Sequence, residues 1–265
     1  MSDGVRSGKT VKLIRIVTRL ILGKAPKDVR FTEFLLSKGL IDRNTYYDIL
    51  TESVMQRVIT PASVCIDVGC YKGSILRLMM KYAPAGRFLA FEPLPHLYKK
   101  ILEKFNSDAV RVHNLALSDS AGTSSFNWVE SNPAYSGLKK RRYDRPNETD
   151  SQIEVKVDTL DNILGKEPVG KVSFIKIDVE GAEYFVMKGA EKCIKRDRPV
   201  IVFEHGMGGS DCYGMKPEDV YELLHDRCGL RISLLSDYLL RKPPLDLKGF
   251  CEQFYKEKNY FFIAY

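Results

Sequence analysis

The sequence predicts an α/β protein of the doubly wound kind, a mostly parallel sheet with helices on both faces, preceded by a helical arm. Three observations carry this prediction. From residue 64 onward, short apolar runs alternate with amphipathic stretches. The runs SVCIDV, RFLAFE, VRVHNLAL, VSFIKIDV and VIVFEH are nearly continuous in apolar residues, the pattern of strands buried on both faces. Each run also ends in a polar group, where an open α/β sheet holds its ligand.

Taken in order, the arm covers residues 1–60. After a polar start comes TVKLIRIVTRLILG, with Lys12, Arg15 and Arg19 on one helical face and Leu13, Ile16, Val17, Leu20 and Ile21 largely on another. Two roles are open for this basic amphipathic helix at 11–22. It packs on its own domain or on a partner subunit in a homodimer, or it lies on a membrane surface. Helical patterns at about 29–38 and 42–59 follow, and Pro61 closes the arm.

Residues 61–265 form the second unit. Helices are predicted over KGSILRLMMKYA, PHLYKKILEKF, TLDNILG, GAEYFVMKGAEKCIKR and KPEDVYELLHDR, between the strands already named. LRISLLS and YFFIAY close the pattern, and SSFNWV and QIEVKV read as an extra strand pair. Between that pair, the polar loop at about 129–152 sits above the strand ends and suits a lid or substrate loop.

Composition narrows the classes. The chain has 265 residues, 44% hydrophobic and 28% charged, ordinary for a globular domain. Its six cysteines form no CxxC pair and no zinc-like spacing. No apolar run reaches the ~18 residues of a membrane span and no signal peptide is visible, so a cytoplasmic location is expected. Much of the net charge of +7 is concentrated in the first 27 residues and in Lys139-Lys140-Arg141-Arg142, which argues against a broad nucleic-acid surface. That run is either a solvated charge run or a site for a phosphate or carboxylate of the substrate.

The turn after the first strand, Asp67-Val-Gly69-Cys-Tyr71-Lys-Gly73, is neither GxGxxG nor a P-loop. Gly69 lets the backbone turn beside a ligand, and Gly73 allows close approach at the helix start. Glu92, at the tip of the second strand, suits the two ribose hydroxyls of an adenosine cofactor. NAD and S-adenosylmethionine (SAM) both fit that geometry. SAM is favoured because the turn is too sparse to cradle a pyrophosphate and because Asp67 can orient an amino-acid end.

DVGCYKG (67–73), AFEPLP (90–95), NLALSD (114–119), VDTLDNIL (157–164), IKIDVEGAE (175–183), MKGA (187–190) and RPVIVFEH (198–205) occur in that order. Together they resemble the FkbM family of SAM-dependent methyltransferases. The resemblance implies a class I (Rossmann-like) fold and methylation of a hydroxyl, on a sugar, glycolipid or secondary metabolite, with a small-molecule or glycan acceptor. The cofactor is expected at Asp67, Gly69, Tyr71, Gly73, Glu92, Ala116, Ser118 and Asp178. Tyr71 stands where the family's usual turn has an asparagine. His205, Asp178 and Glu204 are the expected catalytic groups. His205 is the general base, because an imidazole titrates near ~6.5, and Asp178 is a positioning carboxylate. Asp178, Glu180 and Glu204 also have the oxygen donors of a Mg²⁺ site, but no metal is assigned. A nucleic-acid or protein methyltransferase and a non-catalytic SAM-binding scaffold are the competing readings.

Overall fold

The computed structural model describes residues 28–143 and 147–265; the predicted helix at 11–22 lies outside them. Ten strands follow the arm: β1 (Val64–Val68), β2 (Arg87–Phe91), β3 (Val110–His113), β4 (Ala116–Leu117), β5 (Gly122–Val129), β6 (Asp150–Asp158), β7 (Val172–Ile177), β8 (Val200–Glu204), β9 (Ile232–Leu234) and β10 (Phe261–Ala264). Seven of them make one sheet in the order β3-β2-β1-β7-β8-β10-β9. Its strands run parallel except β10, which is antiparallel to β8 and β9. The order reverses between β1 and β7, so a crevice opens beyond the carboxyl ends of those two strands.

β5 and β6 form the predicted strand pair, and it is antiparallel. With β4 they make a second, three-stranded sheet, which lies beside the crevice and sends the long loop over it.

Alternation along the strands sorts side chains into two cores. Val64, Ile66 and Val68 of β1, Ile175 and Ile177 of β7, and Ile201 and Phe203 of β8 join one hydrophobic cluster. Cys65, Phe174 and Val202 join the other. The second cluster also takes Leu50, Val54 and Met55 from the helix Arg43–Val58, all at most 1% exposed. The described part of the arm is thus a helical layer of the sheet. Its helices Val29–Ser37 and Arg43–Val58 begin at Asp28 and Asp42, whose carboxylates accept from the backbone N–H of Arg30 and Thr45.

Four segments differ from the sequence prediction. GAEYFVMKGAEKCIKR forms two helices, Glu183–Lys188 and Glu191–Asp197. They part at Gly189, where a Cβ would lie 2.0 Å from the carbonyl oxygen of Ser118. KPEDVYELLHDR starts as the α-helix Pro217–Tyr221 and widens to a π-helix over Glu222–Arg227. Helices Leu235–Leu239 and Leu247–Tyr255 were not predicted. Among the described residues no helix is long and apolar enough to cross a membrane.

Candidate active site

The glycine turn is built by three strand ends. Val68 carbonyl accepts from Asp178 N–H at 3.1 Å, tying β1 to β7. Gly69 then turns with φ +76°, and a Cβ there would stand 1.9 Å from the Asp178 carbonyl oxygen. No side chain fits, because the obstacle is backbone. Gly69 N–H and Cys70 N–H both donate to the Phe91 carbonyl at 3.1 Å.

Glu92 closes this corner. Its carboxylate accepts from Tyr71 N–H at 2.9 Å and from Leu94 N–H at 3.0 Å, so one side chain fastens two loops. Asn114 Nδ2 donates to the carbonyls of Glu92 and Pro93, both at 2.9 Å. Glu92, Gly69, Phe91, Leu115, Ala116 and Phe126 line a narrow cavity under the long loop.

A wider cleft of about 540 Å³ adjoins it. The two hollows share Gly69, Tyr71, Ala134, Asp178 and Glu180. Strand parity decides the wall of the cleft. Asp67 alternates with Ile66 and Val68, Lys176 with Ile175 and Ile177, and Glu204 with Phe203, so all three leave the first core and reach the same side. Lys176 Nζ meets Asp178 Oδ2 at 2.9 Å, with its side chain only 5% exposed, and lies over the Phe261 ring. Carboxylate oxygens of Asp178, Glu180 and Glu204 lie within 4.8 Å of one another. Arg141, from the long loop, forms an ion pair with Glu180.

The turn that carries these acids is propped from behind. Buried Glu183 accepts from Val179 N–H at 3.0 Å and Gly181 N–H at 3.1 Å. The long loop is fastened too. Asn127 and Gly137 exchange backbone hydrogen bonds, and Lys139 N–H donates to the Tyr213 hydroxyl at 2.8 Å.

Burial opposes the charge of Asp178, but Lys176 above all, with Glu204 and Arg141, holds its carboxyl below the usual range. Burial, then the Asp178 and Glu183 charges, push neighbouring Glu204 well above that range. The two neighbouring carboxyls are thus pushed in opposite directions, Asp178 toward the charged form and Glu204 toward the protonated one. Burial likewise raises Asp67, Glu92 and Glu183, each to about 7. Carboxyls raised in the folded state bind protons there that the unfolded chain has released, so their contribution to stability is lost as pH climbs through the raised values. The ligand-free protein should therefore lose thermal stability between about pH 4.5 and pH 7.5, as measured by melting scans across that range; the loss should shrink in Glu183→Gln. A rising melting temperature across the range would contradict this.

Not every expected site residue reaches the hollows. His205 follows Ile201 and Phe203 in parity and turns into the opposite core. Its ring is 1% exposed and stacks on Phe254 at 4.7 Å and Phe250 at 5.9 Å, both on the unpredicted helix Leu247–Tyr255. Burial lowers its pKa to about 3. It does not line the cleft and is no general base. Gly73 approaches protein and not ligand, since a Cβ there would stand 2.3 Å from the Phe105 ring. Ser118 also lies outside both linings, with its N–H on the Asp158 carbonyl at 3.0 Å. Asp67, Gly69, Tyr71, Glu92, Ala116, Asp178 and Glu204 do line one hollow or the other.

Lys176 was missed as part of the site, and Arg141 was read only as one member of a run offered to the substrate. Lys176 interrupts the apolar run VSFIKI, and a lone lysine inside a buried strand is a legible signal. Arg141 belonged to the basic run, which gave no sign that one of its members turns inward.

Comparison with known proteins finds relatives among methyltransferases. The 2-O-methyltransferase NoeI of Sinorhizobium fredii is 26% identical over 155 residues, 52% of this chain and 61% of that protein. The hexuronic acid methyltransferase AglP of Haloferax volcanii is 32% identical over 142 residues, 52% of each chain. This chain therefore spans only about half to three fifths of these relatives. The crystal structure of Methyltransferase FkbM from Methylobacillus flagellatus superposes with a TM-score of 0.47 at 14% identity, over 88% of this chain and 58% of that one. The family model described as Methyltransferase FkbM domain matches residues 67–232, well over half of the chain. The protein belongs to the FkbM family of methyltransferase domains.

Proposed function

We propose that the protein methylates a hydroxyl oxygen of a sugar or a related metabolite. One observation carries this reading. The Asp178 carboxylate, paired with Lys176 at 2.9 Å, stands where the narrow cavity meets the wide cleft, with the Glu204 carboxyl within 4.8 Å of it.

The chain's residues fit SAM. Each Glu92 oxygen accepts one backbone N–H and keeps a further lone pair for a ribose hydroxyl. Phe91, Leu115 and Phe126 give the same cavity apolar walls suited to an adenine ring. When bound, SAM supplies an electrophilic methyl group on a positively charged sulfur.

The protein's own part is positioning and proton transfer. The wide cleft holds the acceptor so that its oxygen lies about 3 Å from the carbon it attacks. A sugar hydroxyl is a poor nucleophile at neutral pH, and Asp178 accepts its proton as the new bond forms. Lys176 keeps Asp178 charged until then. Glu204, hydrogen-bonded to Asp178, shares the charge. The printed names of the two relatives, a 2-O-methyltransferase and a hexuronic acid methyltransferase, support a sugar acceptor.

The test is incubation with methyl-labelled SAM and a panel of monosaccharides, uronic acids and RNA. The expected product is an alkali-stable methyl ether on a sugar. A label released by mild alkali, which marks a methyl ester, or transfer to RNA alone, would overturn the reading.

A further inference from the structure

We propose that the acceptor carries an anionic group, a carboxylate or a phosphate, and that Arg43 and Arg142 in the wall of the wide cleft bind it. The inference rests on the reading of that cleft as the acceptor site.

Four cations line the cleft: Arg43, Arg141, Arg142 and Lys176. Two are matched, Lys176 with Asp178 and Arg141 with Glu180. The other two are not. Arg142 is exposed and makes no ion pair among the described residues. Arg43 is also exposed, and its Nη1 donates only to the backbone carbonyl of Glu257 at 3.2 Å.

The acids of the same walls do not cancel this surplus. Asp178 and Glu180 are taken by the inner pair. Asp67 is buried and Glu204 half-buried beside Asp178, and both hold protons more tightly than ordinary carboxyls. Asp48 already has an interaction of its own, and Glu257 turns its carbonyl to Arg43. Arg141 adds a buried Nε–H with no acceptor.

Guanidinium groups present paired donors that match the oxygens of carboxylate and phosphate. The two unmatched arginines come from separate elements, the start of the helix Arg43–Val58 and the loop after β5. An anion bound between them would orient the rest of the acceptor toward Asp178.

Binding tests this without any need for turnover. Glucuronate, glucose 6-phosphate and glucose are titrated calorimetrically into the full chain in the presence of S-adenosylhomocysteine, with inorganic phosphate as a fourth probe. At least one anionic sugar should bind about tenfold or more tightly than glucose, the size expected of charge-assisted hydrogen bonds. Which one does so identifies carboxylate or phosphate. Arg43→Gln with Arg142→Gln should abolish the preference and leave SAM affinity unchanged. Both side chains are exposed, so the fold is not at risk. Equal affinities, a preference that survives the double variant, or no measurable binding of any probe would overturn the proposal. A preference without methyl transfer to any hydroxyl would leave the anion site standing and sink the reading of the reaction.

Discussion

Asp178→Asn should lower single-turnover methyl transfer by ~10²–10⁴-fold, the usual size of general-base catalysis. The amide keeps the shape of the carboxylate and leaves an oxygen for Lys176, now 2.9 Å from Asp178 Oδ2. It cannot accept the hydroxyl proton. SAM affinity should fall much less, since Glu92 and the glycine turn are untouched. His205→Phe should leave transfer unchanged, because that ring already packs as an aromatic between Phe250 and Phe254. The measurement is single-turnover transfer with labelled SAM, alongside cofactor titration for each variant. Near wild-type turnover in Asp178→Asn would move the proton acceptor elsewhere. Activity lost in EDTA and restored by Mg²⁺ would make the cluster of Asp178, Glu180 and Glu204 a metal site in place of a base.

Glu92→Ala should raise the dissociation constant of SAM about tenfold or more, since hydrogen bonds to charged groups contribute roughly 1.5–3 kcal/mol. It should also lower stability, because the N–H groups of Tyr71 and Leu94 lose their acceptor. A buried donor left unpaired costs about 1–3 kcal/mol. Glu92→Gln should not rescue both losses. One oxygen can keep one N–H, but the amide nitrogen would face the other as a second donor. Calorimetry and melting curves read the two effects separately. Unchanged SAM affinity with lowered stability would reduce Glu92 to a structural clamp.

The fold was legible because its signal is local. Apolar runs bounded by glycine and proline mark β1, β2, β7 and β8 without any knowledge of their neighbours. The missed helix Leu247–Tyr255 shows where locality fails. Its sequence, LKGFCEQFY, carries a glycine near its start and three aromatic residues of weaker helix propensity. It forms because Phe250 and Phe254, at most 3% exposed, bury against the sheet. That omission also explains the error at His205. Along VIVFEH, both alternating faces are apolar up to Phe203, so the pattern does not say which face opens on the cleft. The register of β8 against β7 and the helix packed on its far side decide it.

By itself, then, the sequence determined the order of the strands and of most helices, the glycine turn with Asp67 and Glu92, and the acids at the ends of β7 and β8. These follow from residue type and position along one chain segment. The tertiary structure alone decided which of those acids holds its proton more weakly. Asp178 and Glu204 have much the same local context at a strand end. They separate because Lys176 reaches one and burial beside a like charge suppresses the other. It also decided that Arg141 turns inward to Glu180 while Arg142 stays exposed. Charge and exposure depend on which distant groups come within a few ångströms, and no stretch of sequence contains that distance.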